Sequence, residues 1–175
     1  MKFANLEKYR FIAEPRYYFF GWTKSASVLG NEKLVKNLIQ ARKYLPKGYN
    51  FKIWDCKRTI KTQILITESI RKRLKSMHPK SSPRELAELV RKYCGKIRKD
   101  PMRMDIHQNG GAVDLTIVNA KNEELYMGTD HDDLTAKAAT DYFENIKNPN
   151  LLEKEAKRNR RLLKKRSPAR VSEIM

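Results

Sequence analysis

The run "MDIHQNGGAVDLTIV", residues 104–118, limits the possible folds more than any other segment. "AVDLTIV" alternates apolar and polar positions and reads as a strand. Ahead of it, "QNGG" predicts a sharp reversal, because Asn and Gly tolerate positive φ. His107 and Asp114 flank that reversal an odd number of positions apart, so on one flat strand they face opposite ways. A bend at Gly110 and Gly111 lets both point at a common spot. A neutral imidazole and a carboxylate so placed form a donor pair suited to Zn²⁺. The plainer alternative is a capped loop.

A strand needs partners and a covering layer. "YNFKIWDC" alternates with Tyr49, Phe51 and Ile53 on one face and Lys52 and Trp54 on the other, which predicts a second strand. Leu34, Val35, Leu38, Ile39, Ala41 and Leu45 keep a helical period from Glu32 until Pro46 and Gly48 end it. Residues 59–77 predict a helix with Ile60, Ile64, Ile70 and Leu74 inward. "SSPRELAELVRKYCG" predicts another, with Ser82 as N-cap, Pro83 in the first turn, Glu85 completing a capping box and Gly95 as the stop. "NAKN" reads as a turn, "EELYMG" as a return strand and residues 150–165 as a helix broken by "SPAR". Residues 1–30 read as irregular. Asp132 and Asp133 suit a helix start before "LTAKAATDYF". The expected fold is a single α+β domain over residues 1–175, its helices packed on a small antiparallel sheet.

The chain carries 38 Lys+Arg against 20 Asp+Glu, a formal net charge of +18. That balance favours anionic partners and is neutral about fold. Cys56 and Cys94 are the only cysteines and form no C-x-x-C, which argues against a disulfide framework. No leader-type apolar segment opens the sequence and no run of apolar residues is long enough for a membrane span, so a cytoplasmic location is expected.

Four ordered motifs carry a resemblance. "YNFKIWDCKRT" followed by Gln63, then "DIHQNGGAVDLTIV", "YMGTDHDD" and "NRRLL" resemble the zinc-dependent D-alanyl-D-alanine dipeptidases, relatives of the D-Ala-D-Ala carboxypeptidases. The likeness runs over roughly residues 45–165. It implies one Zn²⁺ per chain, hydrolysis of a small D,D-dipeptide in cell-wall metabolism, and His107 and Asp114 as two metal ligands. It implies that Arg58, next to Asp55 at a strand end, faces the developing oxyanion, a contact worth about 3 kcal/mol. The metal activates water and polarises the scissile carbonyl, and a glutamate carries the proton to the leaving amine.

The pattern departs from the family at defined places. The family's C-terminal Glu-Trp-Trp-His motif, with its general base and third ligand, has no match after Met127; the only tryptophans are Trp22 and Trp54. Glu173 in "SEIM" sits too close to "NRRLL" to take the glutamate's role, and residues 150–175 are atypical of the family. His131 in "TDHDD" is either a plain loop histidine or a substitute ligand. Asp105 stands where the family carries serine, as a further ligand or as a charge repelling substrate. His78, before Pro79, is expected to be solvated. A truncated or degenerate relative with little catalysis is therefore the first alternative. The second is a basic nucleic-acid-binding module, suggested by "KEAKRNRRLLKKRSPAR" and "RKRLK". The spread of these cations over several helices limits that expectation to nonspecific binding.

Overall fold

Alternation in "YNFKIWDC" produces the central strand. In the computed structural model, which describes residues 2–94 and 105–165, β4 (Asn50–Asp55) runs between β2 (Ile12–Ala13) and β5 (Asp114–Val118). The expected antiparallel pairing joins β4 to β5, while the short β2 lies parallel to β4. β1 (Phe3–Asn5) and β3 (Leu29–Asn31) form a separate antiparallel ribbon. The fold is α+β. The segment expected to be irregular thus holds these short strands and a one-turn helix, α1 (Arg16–Phe19). Elements of two to four residues are too short to show a period.

The buried apolar side chains form two clusters. α2 (Glu32–Arg42) is capped by Asn31, whose Oδ1 accepts from the Leu34 amide at 2.9 Å. It buries Leu34, Val35, Leu38 and Ala41 in one cluster with Phe51, Ile53, Leu115 and Ile117. α3 (Ile60–Met77) and α4 (Pro83–Tyr93) build the second, from Ile66, Ile70, Leu74, Leu86 and Val90 together with Tyr17. The capping box of Ser82 and Glu85 forms as expected, while Gly95 lies outside the described residues.

The inward face of α3 needs correcting at its start. Ile60 and Ile64 are exposed, and Thr62, Gln63 and Ile66 are buried instead. The first turn packs on polar neighbours: Thr62 donates to the Trp22 carbonyl at 3.3 Å and Gln63 reaches Arg58.

The return strand and the helix after Asp133 do not form, for one shared reason. "EELYMG" makes a single bridge, Val118 to Glu124, after the "NAKN" turn. Two separate 3₁₀ turns, Ala136–Ala138 and Tyr142–Glu144, replace the helix. α5 (Leu151–Lys165) takes the carbonyls both elements need. Asn159 donates to Tyr126 O at 2.9 Å, and Arg160 to Met127 O at 2.7 Å and to Ala139 O and Lys137 O, each at 2.9 Å. Asp133 caps only a local turn, accepting from the Thr135 amide at 2.6 Å. The "SPAR" break lies outside the described residues. No described helix is long and apolar enough to cross a membrane.

Candidate metal centre

The antiparallel pair β4–β5 ends with Asp55 opposite Asp114, across a register irregularity after Ile53. Two like charges directly opposed destabilise a strand pair unless something bridges them. Arg58, in the turn leaving β4, does so. Its Nε donates to Asp55 Oδ2 at 2.5 Å and its Nη2 to Asp114 Oδ2. Longer contacts of 3.4 Å reach Gln63 Oε1 and the Tyr17 hydroxyl. Arg58 is buried, and Asp114 is 1% exposed.

The glycine reversal brings His107 to the same place. Asp105 is a turn cap: its Oδ1 accepts from the His107 amide at 3.0 Å, and its own amide donates to Gln108 Oε1 at 2.8 Å. Gly110 takes φ of +66° and its carbonyl accepts from the Asn31 amide at 2.9 Å. A side chain there would meet the Phe3 ring at 3.0 Å in a backbone conformation already unfavourable for it. The Arg58 amide donates to the His107 carbonyl at 3.1 Å, tying loop to strand end.

The imidazole's orientation follows from its partners. His107 Nδ1 lies 2.9 Å from the Cys56 carbonyl, which can only accept, so Nδ1 carries a proton. Nε2 is 3.5 Å from Asp114 Oδ1, and Nδ1 is 3.7 Å from Asp55 Oδ2. One ligand atom from each of Asp55, His107 and Asp114 falls within 4.8 Å of the others, a possible metal-binding group.

Electrostatics separates the two carboxylates. Burial works to raise Asp114, but the Arg58 guanidinium above all holds it far below the usual carboxylate range. Asp55 is raised, by burial first and by Asp114 further, with Arg58 opposing. Two carboxylates thus share one guanidinium. Buried Asp114 Oδ1 and His131 Nε2 have no hydrogen-bond partner. An orphaned carboxylate oxygen 3.5 Å from an imidazole nitrogen, where two carboxylates share one guanidinium, fits a divalent cation.

Of the residues singled out in the sequence, Arg58, His107 and Asp114 meet here, and Asp55 joins them. His131 is no plain loop histidine: its side chain is 2% exposed and its Nε2 lies 3.9 Å from Asp114 Oδ2. His78 is exposed at the end of α3, and Glu173 lies outside the described residues. Tyr17 went unnoticed in the sequence, where nothing marks one aromatic residue of "PRYYFFGW" over its neighbours. The thiol of Cys56, pushed up by burial, bonds the Ala112 carbonyl at 3.0 Å and takes no part. Comparison with protein-family models and with curated proteins finds no match for this chain.

Proposed function

We propose that the protein is a zinc-dependent hydrolase of D,D-dipeptides, with D-Ala-D-Ala as substrate and cell-wall metabolism as setting. The observation that carries the reading is the buried, unpartnered Asp114 Oδ1, 3.5 Å from the Nε2 of a histidine whose Nδ1 proton is already committed. His107 and Asp114 are the ligands, and their second shell, Cys56 O and Arg58, fixes their orientation. Bound there, zinc supplies a Lewis acid for the scissile carbonyl and lowers the pKa of a water.

In this reading Arg58 is the catalytic residue that would face the developing oxyanion, and Asp55 and Gln63 hold its guanidinium. A pocket of about 170 Å³ adjoins Arg58 and Asp55, walled also by Tyr17, Val28, Leu29 and Thr62, while His107 and Asp114 do not line it. Drug-sized ligands occupy roughly 300–1,000 Å³, so this space suits a much smaller molecule.

One observation favours a non-catalytic reading, in which the centre is a structural ion network of a degenerate relative. Arg58 is already engaged by both carboxylates. The nucleic-acid reading draws less support, since Arg160 is buried and Arg161 and Lys157 pair with Glu144. The deciding experiment measures D-Ala release from D-Ala-D-Ala by the zinc-loaded protein. Turnover that EDTA abolishes and zinc restores is the expected result. A protein that holds zinc yet releases no D-Ala contradicts the dipeptidase reading.

A further inference from the structure

We infer that the outward aromatic residues Tyr18, Phe19 and Phe20, with the lysines around them, form a docking surface for an anionic lipid bilayer. The surface adjoins the pocket beside Arg58 and stands independently of the metal reading.

The turn that ends α1 divides its aromatic residues between two tasks. Gly21 takes φ of +71° and its amide donates to the Tyr18 carbonyl at 2.9 Å, while the Trp22 amide donates to the Tyr17 carbonyl at 2.8 Å. Tyr17 and Trp22 stack with ring centroids 5.5 Å apart and join the cluster of Ile66, Ile70 and Leu74. Thr62 donates to the Trp22 carbonyl and ties the turn to α3. The three residues between these anchors are left outside: Tyr18 is 42% exposed, Phe19 66% and Phe20 56%. Single exposed apolar residues are ordinary on a protein surface, whereas a contiguous group marks a binding surface. A turn already fixed from behind has little freedom left to lose on docking.

The charge around these rings indicates the partner. Residues 15–31 and 56–67 carry Arg16, Lys24, Lys57, Arg58 and Lys61 and no Asp or Glu. The two segments meet: Tyr18 and Thr23 from one and Lys57 and Thr59 from the other line the pocket, and the Lys57 amide donates to the Leu29 carbonyl at 3.0 Å. Lys24, Lys57 and Lys61 are exposed. A second copy of a chain with a net charge of +18 is repelled from such a face. A nucleic acid matches the charge but not the rings. Single strands stack successive bases on aromatic faces, and here the Tyr18 and Phe19 rings meet edge-on at 5.8 Å while the Phe20 ring tilts at 57° against Trp22. An anionic bilayer matches both, since its headgroup boundary accepts aromatic side chains and its acidic lipids attract the lysines.

Sedimentation of the whole chain with lipid vesicles tests the inference. Wild type should pellet with vesicles of phosphatidylglycerol and phosphatidylcholine and stay in solution with phosphatidylcholine alone. Phe19→Ser/Phe20→Ser, which alters no charge, should weaken binding to the mixed vesicles about tenfold or more. Lys24→Gln and Lys61→Gln should each weaken it about fivefold. Wild type that ignores the mixed vesicles, or a folded double-serine variant that binds them equally well, overturns the inference. A lipid-free dimer that this variant disperses overturns it in favour of a second copy. Binding of a single-stranded oligonucleotide that the variant loses, while keeping its vesicle affinity, overturns it in favour of nucleic acid. Trp22 lies 5.2 Å from the Phe20 ring, so wild-type tryptophan emission should be quenched when the phosphatidylcholine is brominated on its acyl chains. Bound protein without quenching overturns the docking even if the variant does not fold.

Discussion

Arg58 and Arg160 are both buried and differ in what surrounds them. Arg160 is met almost wholly by neutral oxygens at fixed places: the carbonyls of Met127, Lys137 and Ala139, and the Thr129 hydroxyl at 3.2 Å, with the Phe143 ring over its guanidinium. Four hydrogen bonds engage all three of its nitrogens, and burial, the leading influence, lowers its pKa. Arg58 is met by two carboxylates. Burial opposes its charge, and Asp114, Tyr17 and Asp55 together more than restore it. Among the described residues no buried side-chain atom around Arg160 is left unpaired, whereas beside Arg58 the orphans Asp114 Oδ1 and His131 Nε2 remain. An arginine placed to hold a fold leaves nothing unsatisfied. One placed at a centre leaves room for another cation.

That contrast is open to direct attack. Arg160→Ala strands several buried acceptors at once and should lower stability by about 3–5 kcal/mol in denaturant titrations, equally with and without zinc. Asp114→Asn should cost the metal-free protein less, about 1–2 kcal/mol, because Asp55 still faces the guanidinium and the surplus charge is relieved. The same variant should lose the zinc-dependent gain in stability, which for wild type is about 2.7 kcal/mol at a hundredfold excess over Kd. Equal costs for the two substitutions would erase the distinction between the regions.

pH sharpens it further. Asp55 is raised, so the stability tied to its protonation is present below the ordinary carboxylate value, about 4, and is lost as pH rises through its folded value. Asp114 is lowered, so its contribution is present above about 4 and is lost as acid brings the pH down through its folded value. Asp55→Asn in metal-free protein should therefore flatten the stability profile on the alkaline side of pH 4 and leave the acid limb in place, as read by melting temperature against pH. The smallest effect belongs to the solvent-exposed pair that joins Arg161 of α5 to Glu144 of the preceding 3₁₀ turn. Glu144, lowered to about 2 chiefly by its hydrogen bond from Arg161, adds stability above about 4.5 that is lost towards pH 2. Screening limits Glu144→Gln to less than about 1 kcal/mol, and salt should shrink it further.

What the sequence disclosed depended on whether the signal was local. The capping box of Ser82 and Glu85, the helical period through Leu38 and the alternation through Ile53 act over a few residues and appear where expected. The reversal at Gly110 is local too, and the structure brings His107 and Asp114 together across it. What escaped notice depends on distant partners. Nothing near Tyr126 or Ala139 announces that Asn159 and Arg160 will take carbonyls there, so a return strand and a helix were expected in vain. The burial of Thr62 and Gln63 in place of Ile60 and Ile64 follows from where Arg58 and Trp22 sit. Asp55 stood beside Arg58 in the sequence, but its place opposite Asp114 emerges only from strand register.

Zinc content after exhaustive dialysis, by elemental analysis of wild-type protein and Asp114→Asn side by side, bears most directly on the centre. One zinc retained per wild-type chain and essentially none per variant chain is the expected outcome. Equal zinc in the two proteins, whether one or none, would contradict it and leave Arg58, Asp55 and Asp114 as an internal ion network.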